Sequence, residues 1–124
     1  MKKIAIVGSR GFRALWRVES LVDHIAVDYA FWKDEVEIVS GGAEGVDTEA
    51  NLVALSNQLK TKIFLPDYKK YADRPKFAPI ARNYEIVDYA DEIHAFWDGK
   101  SAGTRSVIDY AKEQGKPIRV YYDD

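Results

Sequence analysis

Ile38-Val39-Ser40-Gly41-Gly42-Ala43-Glu44-Gly45-Val46-Asp47-Thr48-Glu49-Ala50 passes from a short apolar run through a glycine-rich turn into a helical pattern. Two adjacent glycines permit a sharp bend that leaves backbone amides exposed, and Gly45 lets the helix begin close to whatever lies above the turn. Such a strand, turn and helix suits a phosphate. In that role the Gly41 and Gly42 amides hold the anion while the Asp47 carboxylate accepts hydrogen bonds from ribose hydroxyls. Asp47 and Thr48 fit equally well as caps of the first helical turn, where acids and hydroxyls satisfy free amides.

The same unit recurs on both sides of this stretch. Upstream, Lys3-Ile4-Ala5-Ile6-Val7 is a β-branched run ended by Gly8, the pattern of a strand buried on both faces. Between Ala14 and Phe31 the apolar residues Leu15, Val18, Leu21, Val22, Ile25, Ala26 and Tyr29 recur at intervals of three and four, which predicts a helix. Val36–Val39 is the second strand, and the second helix runs from Val46 to about Leu59. Thr61–Leu65 is a third strand ended by Pro66. Asp67 to Pro79 reads as a long loop punctuated by Pro75 and Pro79, of a length that suits a lid or a surface connection. A helix from Ile80 to Tyr89 carries Arg82-Asn83 and precedes a strand at Glu92–Trp97. The turn Asp98-Gly99-Lys100-Ser101-Ala102-Gly103 then leads into a helix from Thr104 to Gln114, followed by a last strand at Ile118–Tyr122.

Five strands alternating with four helices predict a single α/β domain over residues 1–124, a Rossmann-like three-layer sandwich around a five-stranded parallel sheet. In such sheets ligands bind beyond the carboxyl ends of the strands, where strand order reverses. The loops starting at Gly8, Ser40 and Asp98 lie at that edge.

A chain of 124 residues can bury one core without covalent staples. The absence of cysteine removes disulfide and thiolate chemistry, and two histidines are too few for a structural zinc site, so no metal is assigned. No apolar run approaches the ~20 residues of a membrane span, and Met1-Lys2-Lys3 leads directly into the first strand without a signal-peptide pattern. A cytoplasmic protein with no membrane partner is expected. The net charge of -2 argues against a general positive field for nucleic acid, so any anion site must be local.

Arg10, Arg13, Arg82, Lys100 and Arg105 collect at the carboxyl edge against Glu44, Asp47 and Asp98. The planar fork of arginine matches phosphate, and helix amino ends add aligned amides. Phe12, Tyr84 and Trp97 are candidates either for stacking on a base or for the core. Catalytic signals are poorer. His24 falls within a helix and His94 within a strand, positions that favour packing, and neither the ATPase phosphate loop nor the dinucleotide fingerprint is present. No cofactor is assigned.

Val7-Gly8-Ser9-Arg10, Ser40 to Thr48, Arg82-Asn83 and Ser101-Ala102-Gly103-Thr104 resemble, in order, the motifs of the SLOG superfamily, which includes the DprA/Smf DNA-processing proteins and the LOG nucleotide phosphoribohydrolases. The likeness spans nearly the whole chain, and the second motif is closest to the Ser-Gly-x-Ala-x-Gly-Ile-Asp of the DNA-processing branch. The resemblance implies a Rossmann-like sheet whose matching loops bind nucleotides or nucleic acid. It makes Gly8, Ser9, Arg10, Gly41, Gly42, Gly45, Asp47, Arg82, Gly103 and Thr104 site residues. With the flanking Ser40, Asn83, Asp98 and Arg105 they form the candidate ligand site. A homo-oligomer, and specifically a dimer, is implied in the same way. Where the LOG enzymes carry a catalytic glutamate after their glycine-threonine turn, this chain has Val107.

The expected function is binding or sensing of a nucleotide or nucleotide derivative. The alternatives are a DprA-like single-stranded DNA-binding protein, to which Lys69, Lys70 and Lys76 would contribute, and a nucleotide N-glycosidase or phosphoribohydrolase in which Asp47, Asp98 or Glu44 replaces the missing glutamate.

Overall fold

In the computed structural model, which describes residues 1–123, the strand Lys2–Gly8 (β1) lies at the centre of a five-stranded sheet. Its run Ile4-Ala5-Ile6-Val7 is buried along its whole length because both faces of the strand are covered. Ile4 and Ile6 face one core and Ala5 and Val7 the other. Alternation along a strand thus converts one continuous apolar run into two half-cores, each fully buried Val or Ile contributing ~1.5–3 kcal/mol.

The remaining elements follow in alternation: α1 (Leu15–Asp28), β2 (Val36–Ser40), α2 (Val46–Ser56), β3 (Lys60–Ile63), α3 (Phe77–Tyr89), β4 (Glu92–Trp97), α4 (Ala102–Glu113) and β5 (Ile118–Tyr122). Every pairing is parallel and the strand order is β3-β2-β1-β4-β5. Helices α1 and α2 cover one face through Val18, Val22, Ile25, Val46, Ala50 and Ala54. Helices α3 and α4 cover the other through Ile86, Val87, Val107, Ile108 and Ala111. The architecture is the Rossmann-like sandwich expected from the alternation of elements. Strand order reverses between β1 and β4, so the loops that leave those two strands flank the switch point.

Several boundaries differ from the sequence reading. The first helix ends at Asp28 instead of Phe31, and a 3-10 turn at Lys33–Glu35 leads into β2. The second ends at Ser56, where Gln58 takes a left-handed conformation. The third strand is Lys60–Ile63 and stops short of Leu65. Helix α3 begins at Phe77, three residues before the expected start, because Pro79 sits in its first turn, where no intrahelical N–H is required. Helix α4 starts at Ala102, so Gly103 and Thr104 belong to its first turn.

The edge strand β3 is mostly exposed and carries Lys60 and Lys62; the Lys62 ammonium lies 5.2 Å from the ring centres of both Phe64 and Tyr89. Among the described residues, no helix is long and apolar enough to cross a membrane.

Candidate functional site

A cavity of about 290 Å³ opens at the carboxyl edge, at the β1–β4 switch point. Of the residues expected there, Gly8, Arg10, Asp47 and Arg82 line it, together with Asn83, Asp98, Gly103 and Thr104. The sequence reading missed Val7, Gly11, Ala43, Ser101 and Val107. Their positions beside the expected glycines and hydroxyls were the only signal, since an apolar floor residue has the same pattern as a core residue.

Asp47 organises the site from below. It is 4% exposed, and its Oδ2 accepts the amide of Gly41 at 2.8 Å while Oδ1 accepts the amide of Gly8 at 3.2 Å. Burial pushes its pKa up to about 6, opposed by the hydrogen bonds of Gly41, Gly8 and Ala43 and by the charge of Arg82. The expectation that the Gly41 amide cradles a phosphate is therefore corrected, because that donor already serves an internal carboxylate. Ser40, Gly41, Gly42 and Gly45 are not among the residues lining the cavity. Ser40 ends β2, and the three glycines shape the turn that follows. A Cβ on Gly41 would lie 2.8 Å from Arg82 Nη1 and 2.9 Å from Asp47 Oδ2, so no side chain fits between the two. Gly45 has a φ of 85°, which favours glycine, and it lies against the backbone of Arg10.

Arg82 forms the wall contributed by α3. Its guanidinium donates from Nη1 to the carbonyls of Gly41 and Phe64, and from Nε to Asn83 Oδ1 at 2.9 Å. Burial lowers its pKa, opposed by the nearby Asp47 charge, and the group stays cationic. Asn83 in turn donates through Nδ2 to the Gly103 carbonyl at 3.3 Å, tying α3 to the start of α4.

The β1 loop meets α4 through a hydroxyl pair. Ser9 Oγ lies 3.1 Å from Thr104 Oγ1, both side chains are buried, and Ser9 Oγ also accepts the amide of Asp98 at 3.2 Å. Asp98 Oδ1 accepts the amides of Lys100 and Ser101 at 2.9 and 2.8 Å, and these bonds hold its carboxyl below the usual range. The first-turn amides of α4 have no side-chain cap, and Gly103 and Thr104 border the cavity. Arg10 is exposed and makes no ion pair among the described residues.

Arg105, the remaining candidate, points away and pairs with Asp109 at 3.6 Å. The aromatic candidates are engaged elsewhere. Phe12 is buried edge-on against Phe96, Tyr84 packs on Tyr110 at 4.4 Å, and the Trp97 indole donates to the Ser101 carbonyl. None of the three lines the cavity. Of the carboxylates considered for chemistry, Asp47 accepts backbone amides through both oxygens, Asp98 accepts them through Oδ1 and lines the cavity, Glu44 is not at the cavity, and Val107 forms part of its wall. Among the described residues, no group of three or more His, Asp or Glu side chains is arranged to hold a metal.

His94 does not line the cavity. Its Nε2 is 2.6 Å from Glu92 Oε2 and its Nδ1 2.8 Å from the Tyr121 hydroxyl, while Lys2 Nζ lies 2.6 Å from Glu92 Oε1. The histidine packs within a polar network across β1, β4 and β5.

Comparison with solved structures places this geometry among known folds. The chain superposes on DNA processing protein A (DprA) from Streptococcus pneumoniae with a TM-score of 0.78 and 25% identity, covering 97% of this chain and 50% of that one. It superposes on DNA processing protein A from Helicobacter pylori, described for its single-stranded DNA binding mode, with a TM-score of 0.71 and 26% identity, covering 96% and 64%. The structural-genomics target TM1055 shares the fold at a TM-score of 0.67 and 21% identity, over 95% of this chain and 72% of that one. The chain thus spans about half to two thirds of the length of the two DNA-processing proteins. No curated protein matches its sequence. The family model for DNA recombination-mediator protein A matches residues 1–73, which contain β1, the glycine-rich turn and Asp47. The chain belongs to the DNA recombination-mediator protein A family.

Proposed function

We propose that the carboxyl-edge cavity holds one phosphate-bearing nucleotide unit of a single-stranded nucleic acid. The observation that carries this reading is convergence: Arg10, the half-buried Arg82 and the uncapped amino end of α4 border one cavity at the switch point. Two guanidinium groups and a helix amino end are complementary to a phosphate. A volume near 290 Å³ is at the small end for ligand pockets, which suits a single unit with the rest of the strand outside. The similarity to the Helicobacter pylori protein, described for single-stranded DNA binding, supports nucleic acid as the partner.

Fluorescence anisotropy with single-stranded oligonucleotides at rising salt tests the proposal. The affinity should fall with a log-log slope of about −0.7 for each phosphate neutralised. No binding at low salt would overturn it.

A free nucleotide is a second reading, favoured by the net charge of -2, which gives a long strand no broad cationic surface. Calorimetry with nucleoside monophosphates separates the two. A mononucleotide that binds as tightly as an oligonucleotide would favour the free ligand.

A further inference from the structure

Resting on the proposal that the cavity holds a nucleotide unit, we infer that the strand continues over the β5 side of the domain, its phosphates on Arg13 and Lys100 and a base stacked on Trp16. The cavities themselves mark this course. A second one, of about 440 Å³ and lined by Arg13, Lys100 and Asp123, shares Gly11 and Asp98 with the first. A third, of about 330 Å³, follows along α1, bordered by Trp16, Arg17 and Tyr121.

The Asp123 carboxylate accepts the amides of Arg13 and Ala14 at 2.7 and 3.2 Å, just as Asp98 accepts those of Lys100 and Ser101. Asp123 is engaged through both oxygens and Asp98 through Oδ1. The side chains of Arg13 and Lys100 are exposed and form no ion pair among the described residues. Farther along, Arg17 is fixed by donating to the Tyr122 carbonyl and lies 5.8 Å from the Tyr121 ring centre. Trp16 beside it is 68% exposed and pairs with no other ring among the described residues. An exposed indole next to basic side chains is a sequence-tolerant stacking platform.

The opposite flank is also basic, through Lys69, Lys70, Arg74 and Lys76; its Tyr68 is 56% exposed and offers a smaller ring than the Trp16 indole, and its other two rings are engaged. Tyr71 and Phe77 pack on each other at 5.1 Å, and the Arg74 guanidinium lies 5.9 and 5.1 Å from their ring centres.

The test is a ladder of oligothymidylates, from the dinucleotide upward, titrated against the full chain and its Trp16→Ala, Trp16→Phe and Arg13→Ala/Lys100→Ala variants, each verified as folded by circular dichroism. Wild-type affinity should rise with length. Trp16→Ala should weaken the longer oligonucleotides by about tenfold and leave the dinucleotide unchanged, with Trp16→Phe restoring most of the loss. The double variant should flatten the salt slope for long oligonucleotides by about 1.4. Variants that track the wild type at every length, or a wild-type affinity that does not grow beyond the dinucleotide, would overturn this inference and leave the nucleotide site standing. Absence of binding by any oligonucleotide at low salt would overturn the site itself and this path with it.

Discussion

Asp47 Oδ2 lies 2.8 Å from the amide nitrogen of Gly41, and through its other oxygen the same carboxylate reaches Gly8 at the end of the neighbouring strand. One buried side chain thereby fixes the relative height of the β1 and β2 loops. Asp47→Ala would strip both amides of their acceptor, and each buried unsatisfied donor costs ~1–3 kcal/mol. Asp47→Asn keeps one oxygen but turns an NH2 group toward an amide donor. Both variants should lower the urea midpoint with little change in the denaturant slope, Ala by at least as much as Asn. A midpoint unchanged in Asp47→Ala would show that the tie contributes nothing to the fold.

The same residue predicts a pH dependence with a definite sign. Burial raises the Asp47 pKa from its ordinary 3.8 to about 6 in the folded chain. The folded state therefore binds the proton more tightly than the unfolded state, and this contribution to stability is complete below about 3.8 and lost as pH rises through about 6. Comparison with Asp47→Asn cancels the other carboxylates. The wild type should lose stability relative to that variant as pH rises from 4 toward 7. A difference that stays flat over this interval would exclude the shift.

Arg82 and Arg10 should separate stability from binding. Arg82 ties together Gly41, Phe64 and Asn83, and a lysine cannot reproduce that fork. Arg82→Lys should lower the melting temperature and also weaken oligonucleotide binding. Arg10 is exposed, so Arg10→Ala should leave the melt within about 0.5 kcal/mol of the wild type while reducing affinity several-fold. Equal binding by Arg10→Ala and wild type would remove Arg10 from the site.

Gly103 offers a sharper test of where the phosphate sits. A Cβ added there would meet nothing nearer than Ser101 Oγ at 4.0 Å, and the position lies in the first turn of α4. Gly103→Ala should therefore be tolerated, and the gain in helix propensity is worth up to ~1 kcal/mol in a helix interior and less at this end. A ligand resting against the amino end of α4 would meet the new methyl group. The expected variant is at least as stable as the wild type and binds less tightly. Retained affinity would move the phosphate off that helix.

At the opposite end of the sheet, Glu92 is predicted to support the fold against acid. Burial opposes its charge, yet hydrogen bonds from Lys2 and His94 hold its pKa below the ordinary value. A depressed folded pKa contributes stability that is present above the unfolded value and lost as pH falls through the folded one. Glu92→Gln should therefore show a smaller loss of stability on acidification below about pH 5 than the wild type, read from urea midpoints. Parallel acid profiles would refute the role.

Local pattern was sufficient for the architecture, because burial on both faces of β1 is written as an unbroken β-branched run and each crossover helix carries its own apolar stripe. Boundaries depended on details that pattern does not encode. Pro79 looks like a loop residue until it is known to occupy a first helical turn, and the end of α2 is set by the left-handed Gln58. The candidate site was legible as a set of loops, since topology alone brings the Gly8, Asp47 and Gly103 segments to one edge. Which way each polar group points was not legible. Asp47 satisfies the turn that was expected to greet a phosphate, and Phe12 and Trp97 turn inward because partners distant in sequence, or a nearby carbonyl, receive them. The His94 network depends on register between β4 and β5, which places Tyr121 beside a histidine 27 residues away.

The exposed edge at β3 bears on how molecules of this chain can meet. Joining two copies strand to strand there would trap the ammonium groups of Lys60 and Lys62 beside a second backbone ladder, where like charges face one another. That margin acts as an electrostatic fence against sheet extension.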